Sequence, residues 1–515
     1  MQNAEKTEKM KNKRLAINFF ASIVTYGVTA LINFFLSPYI VSRAGEAAYG
    51  FISLATTFTS YATIVSTAIN SMSSRFVAEA SVQKKHEEAN QYFVSTMVAD
   101  ALLGVLFLCV GGIVVLQVDK ILNVPTELLS DVRVLFALVF LSFIINTLGS
   151  VFEIGYFVTN KLYIASVRQI VTALIRAVVV VTLFVLLPVH IYYMGIGLAL
   201  ISLIAMIYNV RMSKKLLPFV KYTKSAFKLS FVQRIASAGI WNSVNMLGTT
   251  LTEGLDLLIC NVFLSPSLMG VMSLSKTVPG MLKSIQATVV GIFTPETVNR
   301  YAENDFQGMK QYLNYSTRVM RAVLCVPFGV FGGLGYAFYS LWIPDVDANI
   351  LQALSLLSLM AVIFAIGVSP IYNIFTAANK LKLPSIVHLI GGACSTVIVL
   401  ILLNTTDLGV YAVAGVSSVV DIIKTFFVIL PFAAHLIDEK PTFFWSSAFK
   451  AAGACILVAL PGWIFTRFIL IQEWWQLIAT GIVYAIVAYG VVLVFGLTPQ
   501  ERKNLKEKLF RRANR

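Results

Sequence analysis

The chain has 515 residues, of which 57% are hydrophobic and only 13% charged, with a mean hydropathy of +0.79. That leaves too little polar surface for a soluble fold of this length and excludes an ordinary cytosolic enzyme, a nucleic-acid binder and a disordered scaffold. The net charge of +15 fits basic loops beside a bilayer, where Lys and Arg set orientation and attract anionic head groups.

A bilayer-crossing helix takes roughly 20 apolar residues. Runs of that kind follow in chain order at 17–41, 49–70, 92–116, 134–157, 164–187, 191–210, 235–263, 268–293, 319–342, 350–375, 384–403, 408–430, 449–468 and 474–497. They predict an all-α, polytopic integral membrane protein with 14 transmembrane helices. The stretch from Met1 to Arg14 reads as a polar, basic tail before the first helix, with no cleavable signal. No connecting loop is long enough for a separate catalytic domain.

An even number of spans puts both termini on one side. Thirty-two of the 40 Lys and Arg fall on that side, whereas Arg43, Lys120, Arg133 and Arg467 fall opposite, and Arg176, Lys276, Lys283 and Lys424 lie within the predicted spans. By the positive-inside rule both termini are cytoplasmic. The densest basic stretches are 211–234 and 501–515, with seven basic residues each.

Shifting the chain by 220 positions lays Gly50 over Gly270, Ser53 over Ser273, Leu54 over Leu274, and Gln91-Tyr92 over Gln311-Tyr312. One position less lays Asn160-Lys161-Leu162 over Asn379-Lys380-Leu381. The implied repeat is six helices, so the copies share one topology and are related by an axis along the membrane normal. The expected organisation is a six-helix lobe over 1–210, a basic linker over 211–234, a second six-helix lobe over 235–432, two extra helices over 433–497 and a basic tail over 498–515. A transporter follows more readily from this than a channel or a membrane-bound enzyme.

Polar side chains inside a span are costly unless they face a bundle interior or a wet cavity. The first helix carries Ser22, Thr25, Thr29 and Asn33 at helical spacing, and the second carries Ser53, Thr56, Ser60, Thr63 and Thr67. The shift of 220 lays these stripes over Asn242, Asn245, Thr249 and Glu253 of the seventh helix and Ser273, Lys276, Gly280 and Lys283 of the eighth. One shared central cavity accounts for all four stripes. Back-bonding to the helix and helix-to-helix contacts are the alternative for each single Ser or Thr.

The charges add detail. Lys283 and Arg176 are the mid-depth cations, and Lys276 falls at about the depth of Glu253 and Asp256. Those three form either an ion-coupling cluster or a structural salt bridge. Arg176 shares a face with Thr172 and Arg168, which reads as an electropositive track. Asp421 and Lys424 read as a self-neutralising pair, and Asp100 and Glu153 as coupling-ion sites or solvated groups. His388 reads as bland. Cys109, Cys260, Cys325, Cys394 and Cys455 lie in apolar runs without paired spacing, so neither a disulfide framework nor a metal site is expected. No phosphate-cradling glycine loop, HExxH or Cys/His spacing is present, which argues against ATP hydrolysis and cofactor-dependent catalysis.

Residues 34–79 hold Pro38-Tyr39 at a helix end, Arg43-x-Gly45 and Tyr49-Gly50 in and after a short loop, and Arg75-Phe76 at the end of a polar helix. Together with Thr376-x-Ala-Asn-Lys-Leu381 and Leu408-Gly-Val410, this resembles the polysaccharide-transport branch of the multidrug/oligosaccharidyl-lipid/polysaccharide exporter superfamily, the Wzx-type flippases. The resemblance implies two lobes working by alternating access in a bacterial cytoplasmic membrane, with no cofactor. The cargo would be a polyprenyl-diphosphate-linked oligosaccharide destined for a surface polymer such as O-antigen or capsule. A polymerase and glycosyltransferases are the partners it implies, and a monomer its working state. On that reading Lys283, Arg176 and Lys276 hold the diphosphate, the Ser, Thr and Asn stripes line the cavity, and Glu253, Asp256, Asp100 and Glu153 are candidates for ion coupling. A cation-coupled exporter and a lipid II flippase are the competing readings. Mid-depth cations disfavour the first, and the absence of cations midway along the first two helices disfavours the second.

Overall fold

A computed structural model describes residues 2–468 and 471–496, and all its regular elements are helical. The basic tail expected over 498–515 lies outside the described residues. The long helices are α1 (Gln2–Ala44), α2 (Glu46–Val82), α3 (His86–Leu116), α4 (Leu129–Ser150), α5 (Leu162–Leu186), α6 (Tyr193–Leu216) and α7 (Leu229–Thr249). They continue with α8 (Thr277–Ala302), α9 (Phe306–Trp342), α10 (Ala348–Ala365), α11 (Lys382–Thr405), α12 (Val410–Lys424), α13 (Trp445–Phe468) and α14 (Trp474–Gly496).

Among the described residues, 13 helical segments are long and apolar enough to cross a membrane. The expected eighth span also folds as helix, in two pieces, Pro266–Ser275 and α8. α8 has the length, 26 residues, but Lys283, Glu296 and Arg300 and its hydroxyls make it too polar to count by composition. The chain is therefore a multi-pass membrane protein whose least apolar span carries the charges.

The chain divides into two compact units, Met1–Thr250 with Leu257–Gly270, and Leu251–Asp256 with Val271–Arg515. In the first, the Cβ of a residue replacing Gly50 on α2 would meet Gly270 N at 2.8 Å, and one replacing Gly270 would meet Glu46 O at 2.1 Å. The two glycines that overlay in the sequence repeat thus touch, and only a residue without a side chain permits that approach. Ser267 Oγ donates to the Glu46 carboxylate beside them. Asn123 and Asn261 clasp each other through main chain and amide, with bonds of 2.9, 2.9 and 3.3 Å.

In the second unit α9 packs on α13, where Gly333 faces Gly462 so closely that a Cβ on Gly333 would lie 3.0 Å from Gly462 Cα. Near the charged span, Pro279 lacks an N–H and cannot close the helical bond to the carbonyl of Ser275. A buried carbonyl left open in this way needs another donor. Ser355 Oγ of α10 donates to it at 2.7 Å, and the Tyr339 hydroxyl of α9 lies 3.4 Å from it and 2.7 Å from Ser355 Oγ. The Ser275 carbonyl that Pro279 leaves open is thereby tied to α9 and α10.

Removing both hydroxyls with Ser355→Ala and Tyr339→Phe leaves that carbonyl unsatisfied. The double variant is expected to lose about 1–3 kcal/mol, read as earlier unfolding in detergent. An unchanged transition would show that the proline bond is satisfied in some other way.

Candidate functional site

α7 does not continue as a plain α-helix. After Thr249 it widens into a π-helical turn at Thr250–Gly254, bends at Leu255, takes one α turn at Asp256–Ile259 and widens again at Cys260–Leu264. Such π segments interrupt the regular backbone ladder and are frequent at functional sites. Two carbonyls of this stretch accept from side chains on other helices. Leu251 O accepts from Thr396 Oγ1 of α11 at 3.2 Å, and Glu253 O from Lys276 Nζ at 2.8 Å. The widened turn is pinned by its main chain, and the side chains of Glu253 and Asp256 project from it toward α8.

There they meet the two lysines. Lys276 Nζ pairs with the Asp256 carboxylate, and Lys283 Nζ pairs with Glu253 Oε1 at 2.9 Å. The pairs differ in setting. The Asp256 side chain is 8% exposed, and its lysine also holds the backbone of Glu253, so this pair is a closed clasp. The Glu253 side chain is 45% exposed and that of Lys283 is 31% exposed, so this pair is open. Lys276 and Lys283 lie on one face of the helix, and Gly280 stands between them with nothing within 4 Å of where a Cβ would be. Pro279, Ala361, Val362, Ser358, Ser417, Ser418 and Asp421 complete the lining of a cavity of about 90 Å³. That is room for a few water molecules or one oxyanion group.

Asp421 pairs with Lys424 one turn further along α12, where the helix again passes into a π turn at Thr425–Ile429. Lys424 is buried, and its Nζ lies 2.9 Å from His388 Nδ1 of α11. His388, read from the sequence as bland, thus belongs to a charged network. Ser417, Asp421 and Lys424 form one stripe on α12, spaced like the stripes of α7 and α8. The same spacing test applied to α12 would have found it.

In the first unit, Arg176 Nη2 donates to Asn33 Oδ1 at 2.8 Å, and its buried Nε has no partner among the described residues. Arg168 does not extend a track from Arg176. It is paired with Glu153 at 2.8 Å, and Glu153 also accepts from Asn209 Nδ2 at 3.0 Å, with Tyr156 donating to Asn209. Glu153 is therefore anchored where α4, α5 and α6 meet. Asp100 is fully buried. It accepts from Ser150 Oγ at 3.0 Å and, with the amide turned so that its nitrogen faces the carboxylate, from Asn70 at 3.1 and 3.3 Å. Among the described residues no cation lies within 4 Å of it.

The hydroxyl stripes divide. Thr25 is buried between α1 and α5, bonding back to Ala21 O at 2.7 Å and across to Ser166 O at 3.2 Å, so it fastens two helices. Ser22, Thr56, Thr63 and Thr249 bond back to carbonyls of their own helices. Ser22, Thr56, Ser60, Asn245 and Thr249 are exposed, whereas Thr29 and Ser53 are half-buried. Asn242 Nδ2 donates to Ser71 Oγ of α2 at 3.2 Å. Of the residues singled out in the sequence, the structure gathers Glu253, Asp256, Lys276, Lys283 and Asp421 around one cavity and joins Asn33 to Arg176.

With this geometry in hand, comparison with known proteins places the chain. The profile of the polysaccharide biosynthesis protein family matches residues 15–294, more than half of its length. The chain belongs to that family. It is 27% identical over 500 residues to an uncharacterized membrane protein, EpsK, of Bacillus subtilis (strain 168), covering 97% of this chain and 99% of that one. Its fold is similar to the lipid II flippase MurJ in an inward closed conformation, with a TM-score of 0.66, 13% identity, and coverage of 93% of this chain and 98% of that one. It is also similar to an inward-facing multidrug resistance MATE family transporter of the MOP superfamily, with a TM-score of 0.60, 14% identity, and coverage of 82% and 97%.

The two ion pairs should respond differently to mutation. Asp256→Ala removes a buried carboxylate whose lysine also holds the Glu253 carbonyl, and is expected to cost about 3 kcal/mol. Glu253→Gln, in an open one, is expected to cost under about 1 kcal/mol. Unfolding in detergent measures both, and equal losses would contradict the distinction.

Proposed function

We propose that this protein is a flippase for a polyprenyl-diphosphate-linked oligosaccharide, a repeat unit of a cell-surface polysaccharide. It moves the lipid from the inner to the outer leaflet of a bacterial cytoplasmic membrane by alternating access. The observation that carries this reading is the open Lys283–Glu253 pair on a serine-lined cavity within a membrane span. The barrier to flipping is the transfer of a hydrated diphosphate and sugar through hydrocarbon, and a cation beside hydroxyls replaces the water that the head group loses. Family membership supports the link to polysaccharide synthesis, and the fold supports transport.

On this reading Lys283 contacts the diphosphate, with Arg176 as a second cation whose Nε is unspent. Lys276 stays clasped to Asp256 and adds only its field. The exposed Ser22, Thr56, Ser60, Asn245 and Thr249, with Thr29, Asn33, Ser53, Thr63 and Asn242, offer hydroxyls and amides to sugar. Asp100 takes the coupling-ion role in preference to Glu253, Asp256 and Glu153, because the other three carboxylates are already neutralised by lysine or arginine. Two six-helix lobes over 1–210 and 235–432 are the moving parts, in a monomer with both termini cytoplasmic. Glycosyltransferases and a polymerase act before and after it.

The test is flipping of labelled lipid-linked oligosaccharide in proteoliposomes. Loss of a charge-assisted bond worth about 1.5–3 kcal/mol slows Lys283→Ala by about tenfold or more, while Lys283→Arg keeps most of the rate. Unchanged flipping by Lys283→Ala would overturn the role assigned to this site.

A further inference from the structure

We propose that Glu253 is a built-in counter-anion, occupying Lys283 while the site is empty and yielding it to the substrate's diphosphate. The proposal rests on the reading of Lys283 as the phosphate-binding cation and adds a function for its partner.

A lysine at mid-depth in a membrane span is costly unless it is paired or hydrated. A carrier that binds its cargo through such a lysine must also return without cargo, and the empty site then needs an anion of its own. Three carboxylates line the cavity with Lys283, and the geometry separates them, Asp421 being taken by Lys424. Asp256 is closed off behind Lys276 and is 8% exposed, so nothing can take its place without opening the clasp. Glu253 reaches Lys283 through one carboxylate oxygen at 2.9 Å, from a side chain that is 45% exposed.

The main chain of Glu253 is held independently of that carboxylate, because Lys276 Nζ grips its carbonyl at 2.8 Å. The carboxylate can therefore leave Lys283 without disturbing the π turn that carries it. Space for the incoming anion is on the same face, where nothing lies within 4 Å of the missing Cβ of Gly280. The remaining charges around the cavity are already committed, Lys276 to Asp256 and Asp421 to Lys424. Lys283 is thus the cation whose partner is exchangeable, and carboxylate and phosphate oxygens bind an ammonium in the same way. The exchange keeps Lys283 neutralised in both states. The displaced carboxylate, still tethered beside the diphosphate, repels it and promotes release.

Binding of inorganic pyrophosphate and of farnesyl diphosphate to the full-length protein in detergent tests this, by calorimetry on wild type, Glu253→Gln, Glu253→Asp, Lys283→Ala and the Glu253→Gln/Lys283→Ala double variant. Removing the competitor is expected to tighten both probes by about tenfold in Glu253→Gln. The shortened Glu253→Asp is expected to fall between it and wild type. The double variant is expected to bind as weakly as Lys283→Ala. Equal or weaker binding by Glu253→Gln, with Lys283→Ala still impaired, would overturn the counter-anion role and leave the phosphate site standing. Equal binding by wild type and Lys283→Ala would overturn the phosphate site itself. If Glu253→Gln does not fold, the Glu253→Asp affinity decides, and a value no tighter than wild type overturns the counter-anion role.

Discussion

A charge placed inside a membrane needs an ionic or polar partner where it stands, because hydrocarbon offers neither water nor counter-ions. The structure meets that demand locally and with partners of different kinds. Lys276, Lys283 and Lys424 each have a carboxylate, Arg168 has Glu153, and Arg176 has the amide oxygen of Asn33. The backbone is shaped to make these meetings. α7 and α12 both widen into π turns beside their charged residues, and α8 gives up a helical bond at Pro279 next to Lys276. Regular geometry is relinquished at each of these charged positions.

The same constraint sorts the pairs by task. A clasp such as Lys276–Asp256 costs solvation and gains rigidity, and it holds the π turn in register through the carbonyl of Glu253. An open pair such as Lys283–Glu253 gains little stability and leaves its lysine within reach of another anion. The two lysines on one helix face thus differ in how tightly their partners hold them. The cavity beside them, of about 90 Å³, has room for a single oxyanion group.

Much of this was legible in the sequence, for definite reasons. Apolar runs gave the spans, because a bilayer demands a fixed length of uninterrupted hydrocarbon. The stripes of α7 and α8 were legible because helical spacing alone puts Asn242, Asn245, Thr249 and Glu253, or Lys276 and Lys283, on one face. Which side chain meets which across helices was not legible, since pairing depends on axial register and rotation that no single helix encodes. Asn33 and Arg176, His388 and Lys424, and Arg168 and Glu153 are partners from separate helices. Thr25 shows the complementary case. It shares a stripe with Asn33 but faces Ser166 of α5, so it holds a seam rather than lining a wall. The π turns at Thr250–Gly254, Cys260–Leu264 and Thr425–Ile429 were invisible to a reading that assumes 3.6 residues per turn throughout.

The claim on which this account turns is that water and an anionic head group reach the face of α8 carrying the two lysines. The direct measurement uses a variant with Cys109, Cys260, Cys325, Cys394 and Cys455 replaced and a single thiol introduced as Gly280→Cys. It is treated in native membranes with a membrane-impermeant, water-soluble thiol reagent, with and without added farnesyl diphosphate. The account predicts labelling at position 280 that slows when the diphosphate is present. A thiol that stays unlabelled in a folded protein, or labelling that the diphosphate leaves unchanged, would contradict it.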